Sequence, residues 1–126
     1  MIPEDCLFTE QHEWIRVEGD SAVVGITQYA ADQLGDVTYV EVPEEGADLT
    51  RGGVLGTVES VKAVSEIFAP AGGTVTAVNE QLEDEPGIVN EDPYGDGWIC
   101  EMTLTDKREL ERLLDAAAYS ELIENL

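Results

Sequence analysis

Short runs in which apolar and polar residues alternate dominate this chain, and they predict a β-rich fold. Alternation with a period of two is typical of strands that bury one face and expose the other. The runs occupy residues 12–17, 22–26, 37–42, 54–58, 64–69, 73–79 and 98–104, with the least regular alternation in 64–69. Glycine, proline and acidic turn residues separate most of them, at spacings that favour an all-β sandwich or flattened barrel.

Two segments show helical patterns instead. Thr27 is a suitable N-cap for a short helix over residues 28–34, and Gly35 stands where a helix C-terminal glycine is expected. A second helix is predicted to start at Asp106, because Glu109 lies at capping-box spacing and an apolar stripe follows. The stripe consists of Leu110, Leu113, Leu114 and Ala117. Packing on the chain's own sheet is its simplest role, and docking to a partner helix is the alternative.

Two further stretches show neither pattern. Residues 1–11 are predicted to be an irregular lead-in. Residues 80–97 contain Pro86, Pro93 and three glycines, so a long loop is predicted there. A loop of this length in a small domain is usually functional or covers an open sheet edge.

Length and composition predict one globular domain over residues 1–126. The chain has 126 residues and is 43% apolar, which is enough for a core without disulfide bonds. No run approaches ~18 consecutive apolar residues, and the first residues lack the pattern of a signal or transit peptide, so a cytoplasmic location is expected. Cys6 and Cys100 lack metal-ligand spacing. Free thiols are expected in a reducing cytoplasm, and a disulfide between them is the alternative.

The charge is strongly negative. There are 28 acidic residues against six lysines and arginines, which gives a formal net charge of −22. Nucleic acids and anionic membrane surfaces are excluded as partners, because their phosphates would be repelled. Docking to basic partner surfaces is one explanation of the acidity. A cytoplasm of very high salt, where the Debye length is ~3 Å at 1 M, is the other, and it is favoured because the acids are spread along the whole chain.

Lys62 is the candidate for chemistry. It is one of two lysines, with Lys107, and it lies at the tip of the hairpin predicted between residues 54–58 and 64–69. Its primary amine can be acylated, and a hairpin presents that amine in one geometry. The residue types alone leave open the alternative of a solvated lysine that relieves acidic repulsion.

The sequence around Lys62 resembles the lipoylation site of the glycine cleavage system H-protein family. The motif is Val-Glu-Ser-Val-Lys-Ala at residues 58–63. Further segments that resemble the family follow its order along nearly the whole chain, at residues 12–14, 24–27, 34–37, 40–43, 69–70, 73–75, 78–80, 89–90 and 93–98. The resemblance implies a mainly β, barrel-sandwich hybrid fold like that of lipoyl and biotinyl carriers, with short peripheral and C-terminal helices. Biotin carriers usually place the lysine between methionines, so Val61 and Ala63 favour lipoate.

The resemblance implies a carrier rather than an enzyme. Lipoate, joined to Lys62 by a lipoate-attaching enzyme, would receive the aminomethyl group of glycine from a pyridoxal-phosphate glycine decarboxylase. A tetrahydrofolate-dependent aminomethyltransferase would take it, and a flavin-containing dihydrolipoyl dehydrogenase would reoxidise the dithiol. The tether makes each transfer nearly intramolecular. A lipoyl carrier that relays lipoate to other complexes is one alternative. An enzyme that forms a Schiff base on Lys62 is another, but it needs a desolvated lysine.

The resemblance also implies roles for the residues that flank the lysine. Glu59, Val61 and Ala63 are expected to define the hairpin for the lipoate-attaching enzyme, with strand pairing as the alternative, above all for Val61.

A surface cleft that shelters the loaded arm is implied as well. Its expected residues are His12, Glu13 and Glu66, and Glu66 stands where the family often has aspartate. Carboxylates there would hold the cationic amine of the arm. Gln11 departs from the family, which carries a hydroxyl at that position. With one histidine in the chain, a multi-histidine metal site is excluded.

Overall fold

The computed structural model describes residues 2–126, which form two antiparallel β-sheets with short helices at their periphery. The strands are β1 Leu7–Phe8, β2 Glu13–Glu18, β3 Ser21–Ile26, β4 Val37–Glu41, β5 Asp48–Leu49, β6 Val54–Ser60, β7 Val64–Phe68, β8 Gly73–Val78 and β9 Cys100–Leu104. The helices are α1 Gln28–Leu34, α2 Gln81–Asp84, α3 Ile88–Glu91 and α4 Ala116–Glu124, and a 3-10 helix spans Lys107–Arg112. The prediction of a mainly β fold with short helices is confirmed.

The two sheets enclose the main hydrophobic core. One sheet has the strand order β1-β2-β3-β9-β8-β5, and the other has the order β4-β6-β7. The alternation seen in the sequence places one side chain in two toward the interior, as in β9, where Cys100, Met102 and Leu104 are buried and Glu101 and Thr103 are exposed. Helix α1 has the bounds that its cap residues predict, because the Thr27 side chain accepts the N–H of Ala30 and Gly35 ends it at a φ of +75°.

A smaller buried cluster lies where α4 covers the first strands. Its buried members are Cys6, Phe8, Trp14 and Tyr119. The indole of Trp14 packs so closely on Gly25 that a Cβ at position 25 would lie 2.6 Å from the ring. The indole N–H donates to the carbonyl of Pro93 at 3.0 Å. The predicted role of Trp14 as a core residue is confirmed, since its ring is held by packing on Gly25 and by the hydrogen bond to Pro93.

The prediction of one helix from Asp106 is wrong. A 3-10 helix is followed by extended backbone at Leu113, and Leu114 makes a β-bridge with Phe8. Glu109 does not close a capping box, because its Oε1 accepts the N–H of Gly72 at 2.9 Å. Helix α4 begins only after Asp115, whose side chain accepts the N–H of Ala118 at 2.8 Å.

The leucines of the predicted stripe nevertheless pack on the chain itself, in two different places. Leu110 and Leu113 contact the main core, whereas Leu114 contacts the smaller cluster. Ala117 is exposed. The apolar spacing therefore identified the leucines that pack on the chain. It did not predict the backbone, because Glu109 binds Gly72 and Leu114 pairs with Phe8.

Residues 1–11 and 80–97 are more regular than predicted. The first stretch contains β1, which pairs with β2. The second contains α2 and α3, which bury Leu82 and Val89. No helix within residues 2–126 is long and apolar enough to cross a membrane. Cys6 and Cys100 are buried free thiols, and burial raises the pKa of each to about 12.

Candidate functional site

The turn that presents Lys62 is held by a serine. The hydroxyl oxygen of Ser60 accepts the backbone N–H groups of Lys62 at 3.2 Å and Ala63 at 3.1 Å. The Ser60 N–H donates to the carbonyl of Ala63 at 2.8 Å. The turn has no glycine, proline, asparagine or aspartate, and Ser60 performs their local hydrogen bonding. Its side chain is the signal for this turn in the sequence.

Lys62 is exposed at the tip between β6 and β7, and its stem lies over Gly35 at the end of α1. A Cβ added at Gly35 would lie 3.2 Å from the Cε of Lys62. Gly35 has φ +75° and ψ −158°, a backbone conformation that residues other than glycine rarely adopt. A glycine is therefore required here by the backbone, and it also leaves the space along which the lysine stem lies.

The residues that flank Lys62 face solvent. Val61 is 69% exposed, and its N–H donates to the carbonyl of Asp36 at 3.1 Å, which ties the tip to the turn after α1. Glu59 is the residue that pairs across strands, with Tyr39 of β4 and Val64 of β7. Ala63 is exposed as well. Strand pairing thus accounts for the position of Glu59 but leaves the exposed side chains of Val61 and Ala63 without a packing role.

A cleft of about 410 Å³ opens beside the hairpin. It brings together all three residues expected in an arm-sheltering cleft, His12, Glu13 and Glu66. Its other lining residues are Gln11, Ile26, Tyr29, Ala30, Gln33, Leu34, Val58, Ser65, Ile67 and Leu126. Leu34 precedes Gly35, on which the lysine stem lies, so the cleft adjoins the root of the Lys62 side chain. Apolar walls with carboxylates suit a flexible arm that is apolar along its length and cationic at its end.

Glu13 is a buried carboxyl group in the wall of this cleft, with 2% exposure. Its Oε1 accepts the hydroxyl of Thr9 at 2.6 Å, and its Oε2 accepts the N–H of Phe68 at 3.3 Å. Burial raises its pKa, and these two hydrogen bonds oppose the rise. Each carboxylate oxygen keeps a second lone pair that can accept a further hydrogen bond.

His12, the residue before Glu13, also lines this cleft and has a backbone conformation that is uncommon outside glycine. Its φ is +73°, and it is the only non-glycine residue with positive φ in the described chain. Its Nδ1 is 2.8 Å from the hydroxyl of Tyr119, and its ring packs on Tyr29 with 4.6 Å between centroids. Burial lowers the pKa of His12. No group of metal-binding side chains is found within residues 2–126.

Comparison with known proteins identifies the family of the chain. The family model described as "Glycine cleavage H-protein" matches residues 6–126. The chain belongs to the glycine cleavage H-protein family. It is 54% identical over 123 residues to the "Probable glycine cleavage system H protein" of Haloarcula marismortui, covering 98% of this chain and 97% of that one. It is 55% identical over 121 residues to the "Glycine cleavage system H protein" of Marinobacter nauticus, covering 95% and 93%.

A solved H-protein structure has the same fold. The crystal structure of a glycine cleavage system H protein from Mycobacterium marinum superposes with a TM-score of 0.90 at 38% sequence identity. The match covers 99% of this chain and 100% of the other. The barrel-sandwich fold of lipoyl carriers is thereby shown for this chain. Its function is that of the family, a carrier component of the glycine cleavage system.

Several residues of the H-protein site were not singled out from the sequence. Tyr119, Tyr29 and Leu126 line or support the cleft, but they stand far from Lys62 in the chain and belong to no local motif. Gln11, singled out from the sequence as a departure from the family, does line the cleft. Gly35 was predicted as a helix end, and only the fold shows that it underlies the lysine stem. A local pattern could have revealed Ser60 alone, from its place two residues before Lys62.

Proposed function

We propose that Lys62 carries lipoate, and that this H-protein shelters the loaded arm in the cleft of His12, Glu13 and Glu66. The observation that carries the proposal is the placement of one exposed lysine on a fixed hairpin, with its stem on Gly35 beside that cleft. When bound, lipoate would supply a disulfide that accepts the aminomethyl group on one sulfur, and release of that group would leave a dithiol to be reoxidised. The chain supplies the attachment point, the geometry of the tip and the shelter.

The tip is suited to recognition by a lipoate-attaching enzyme. The Ser60 hydrogen bonds fix the backbone of Lys62 and Ala63, so little conformational entropy is lost when an enzyme binds the turn. The exposed Val61 and Ala63 offer apolar contact on both sides of the amine, and Glu59 offers a charge at the end of β6. A Schiff-base enzyme would need a desolvated lysine, whereas Lys62 is exposed.

The partners of the proposed cycle are those of glycine cleavage. They are glycine decarboxylase with pyridoxal phosphate, the aminomethyltransferase with tetrahydrofolate, and dihydrolipoyl dehydrogenase with flavin. The carrier would act on each by effective concentration, because its arm is tethered at a fixed point. Binding of the lipoylated protein to glycine decarboxylase separates this role from lipoate relay to other complexes, which needs no such binding.

Mass spectrometry of peptides from the native protein tests the attachment site. The lipoyl amide is expected on Lys62 and not on Lys107, whose amine already pairs with Asp20 at 3.3 Å. Lys62→Arg keeps the charge but has no acylatable amine, so lipoylation should be lost completely. Lys107→Arg is the matched control and should be lipoylated like the wild type. Lipoylation that persists in Lys62→Arg would refute the assignment.

We also propose that the strong negative charge of the chain is an adaptation to a cytoplasm of high salt. The described chain pairs its cations with few of its 28 acidic residues, so most carboxylates repel one another at low salt. Salt screens this repulsion and favours burial. The Tm should therefore rise as potassium chloride increases from low to molar concentration. A flat or falling Tm would favour docking as the reason for the acidity.

A further inference from the structure

The hydroxyl of Tyr119 joins three separate elements behind the cleft. Tyr119 lies in α4 and is fully buried, with its ring stacked on Phe8 at 4.6 Å between centroids and 10° between planes. Its oxygen is 2.7 Å from the hydroxyl of Thr27, the N-cap of α1, and 2.8 Å from Nδ1 of His12. The sequence separation is 92 residues for the first contact and 107 for the second. One side chain therefore connects the cap of a helix to the imidazole in the cleft wall.

The direction of these hydrogen bonds follows from Thr27. Its side chain is fully buried and already accepts the N–H of Ala30 at 3.2 Å. Within residues 2–126, the oxygen of Tyr119 is the one acceptor in reach of the Thr27 hydroxyl hydrogen. If Tyr119 donated to Thr27, that hydrogen would be buried without an acceptor, which folded proteins avoid. Thr27 therefore donates to Tyr119, and Tyr119 donates its own hydrogen to Nδ1 of His12.

We propose that Tyr119 is a positioning residue of the arm cleft, whose hydroxyl holds His12 as the neutral tautomer with its proton on Nε2. The tautomer of His12 follows from the hydrogen bonds alone, whereas the effect on the loaded arm rests on the proposed function. A neutral imidazole carries one N–H and one lone pair, and Tyr119 occupies the lone pair. His12 then has no basic nitrogen free to face the cleft.

This arrangement protects the arm that the cleft shelters. Water hydrolyses an aminomethyl thioether to the thiol, formaldehyde and ammonia, and a free imidazole beside it would assist as a general base. A protonated imidazole would instead repel the cationic amine. With His12 neutral and its lone pair occupied, the acidic side chains that line the cleft, Glu13 and Glu66, attract the amine without a competing cationic side chain.

The surroundings of His12 act on its charge in both directions. The titratable groups that face it are Tyr119 from α4, Tyr29 from α1, Glu13 from β2 and Glu66 from β7. The two carboxylates favour a protonated imidazole. Burial opposes them and lowers the pKa of His12 below its ordinary 6.5. Protonation would also reverse the hydrogen bond with Tyr119 and leave either the Thr27 or the Tyr119 hydroxyl hydrogen without an acceptor.

Nitrogen NMR of the unlipoylated protein tests the geometry directly, because His12 is the only histidine. In protein labelled with ¹⁵N-histidine, the wild type should show the Nε2–H tautomer and should protonate below pH 6.5. Tyr119→Phe keeps the stacked ring and removes the hydroxyl. Its Nδ1 resonance should shift toward that of an unbonded nitrogen, and its titration midpoint should rise.

Tyr29→Phe is the matched control. Tyr29 packs on the same imidazole, but its hydroxyl makes no hydrogen bond to His12 in the described chain, so the NMR signature should not change. A wild-type Nδ1–H tautomer would overturn the proposal without any variant. An unchanged Nδ1 resonance in Tyr119→Phe would overturn it as well.

Ammonia release from the loaded carrier tests the consequence. Tyr119→Phe should release ammonia severalfold faster than the wild type, with the excess rate rising with pH as His12 deprotonates. Adding His12→Gln should remove that excess, because glutamine supplies no base. Equal release with the predicted NMR signature would overturn the protective role. Absence of lipoate on Lys62 would refute the proposed function and leave the NMR result intact.

Discussion

The lysine hairpin and the wall of the arm cleft are built in opposite ways. The turn of the hairpin is held chiefly by hydrogen bonds of Ser60 to residues two or three positions away, and one longer bond joins the Val61 N–H to the carbonyl of Asp36. The wall is held by contacts between residues 55, 92 and 107 positions apart, at Glu13, Thr27 and His12. The hairpin is exposed, whereas Glu13, Thr27 and Tyr119 are buried. Presentation to a modifying enzyme thus depends on a local turn, and shelter of the arm depends on the whole fold.

This difference predicts that the two regions fail separately, and Tyr119→Ala should show it most strongly. Truncation of a fully buried aromatic side chain to alanine typically costs ~3–5 kcal/mol in the free energy of unfolding. Below the lowered Tm, Lys62 should still accept lipoate, because no hairpin contact is removed. Denaturant unfolding measures the first effect, and intact mass after reaction with a lipoate-attaching enzyme measures the second.

Tyr39→Ala provides the control for that variant. Tyr39 is 48% exposed on β4, and surface substitutions usually change stability by no more than ~0.5 kcal/mol. A loss of stability as large as that of Tyr119→Ala would mean that burial does not separate the two tyrosines. A failure of lipoylation in folded Tyr119→Ala would mean that the wall also shapes the hairpin.

The same difference explains how much could be predicted from the sequence. Helix α1 was predicted with its observed bounds, because Thr27 and Gly35 are local signals. Lys62 was identified because its motif is contiguous. The helix predicted from Asp106 was wrong because Gly72 and Phe8, distant in the chain, bind Glu109 and Leu114. The cleft residues followed from family resemblance, and no spacing in the sequence shows that Tyr119 reaches His12.

Gly35 is the point where the two regions meet, so Gly35→Ala sharpens the comparison. Its φ of +75° and ψ of −158° lie in a region used almost only by glycine, and such strain costs ~1–3 kcal/mol. The new Cβ would also lie 3.2 Å from the Cε of Lys62 and displace the lysine stem. Lower stability in denaturant unfolding and slower lipoylation are both expected.

Gly46→Ala separates strain from contact. Gly46 also has positive φ, at +87°, but a Cβ there meets no atom within 4 Å. This control should lose stability without a change in the rate of lipoylation. If Gly35→Ala is lipoylated as fast as Gly46→Ala, the contact with Lys62 does not position the amine.

Glu13→Gln should have the smallest effect on the fold at neutral pH, because two terms oppose each other. The variant keeps only one acceptor oxygen for the Phe68 N–H and the Thr9 hydroxyl, but it also removes a charge that is costly to bury. The pKa of Glu13 is raised above the ordinary 4.5, so the folded chain binds this proton more tightly than the unfolded chain does. Stability from this group is therefore present at low pH and is lost as pH rises through 4.5 and the raised value.

Unfolding experiments at matched high salt from pH 7 down to pH 4.5 should show the wild type gaining stability relative to Glu13→Gln. A difference that stays constant across that range would mean that Glu13 ionises as an ordinary surface carboxyl, and the buried wall would then resemble the exposed hairpin in its electrostatics.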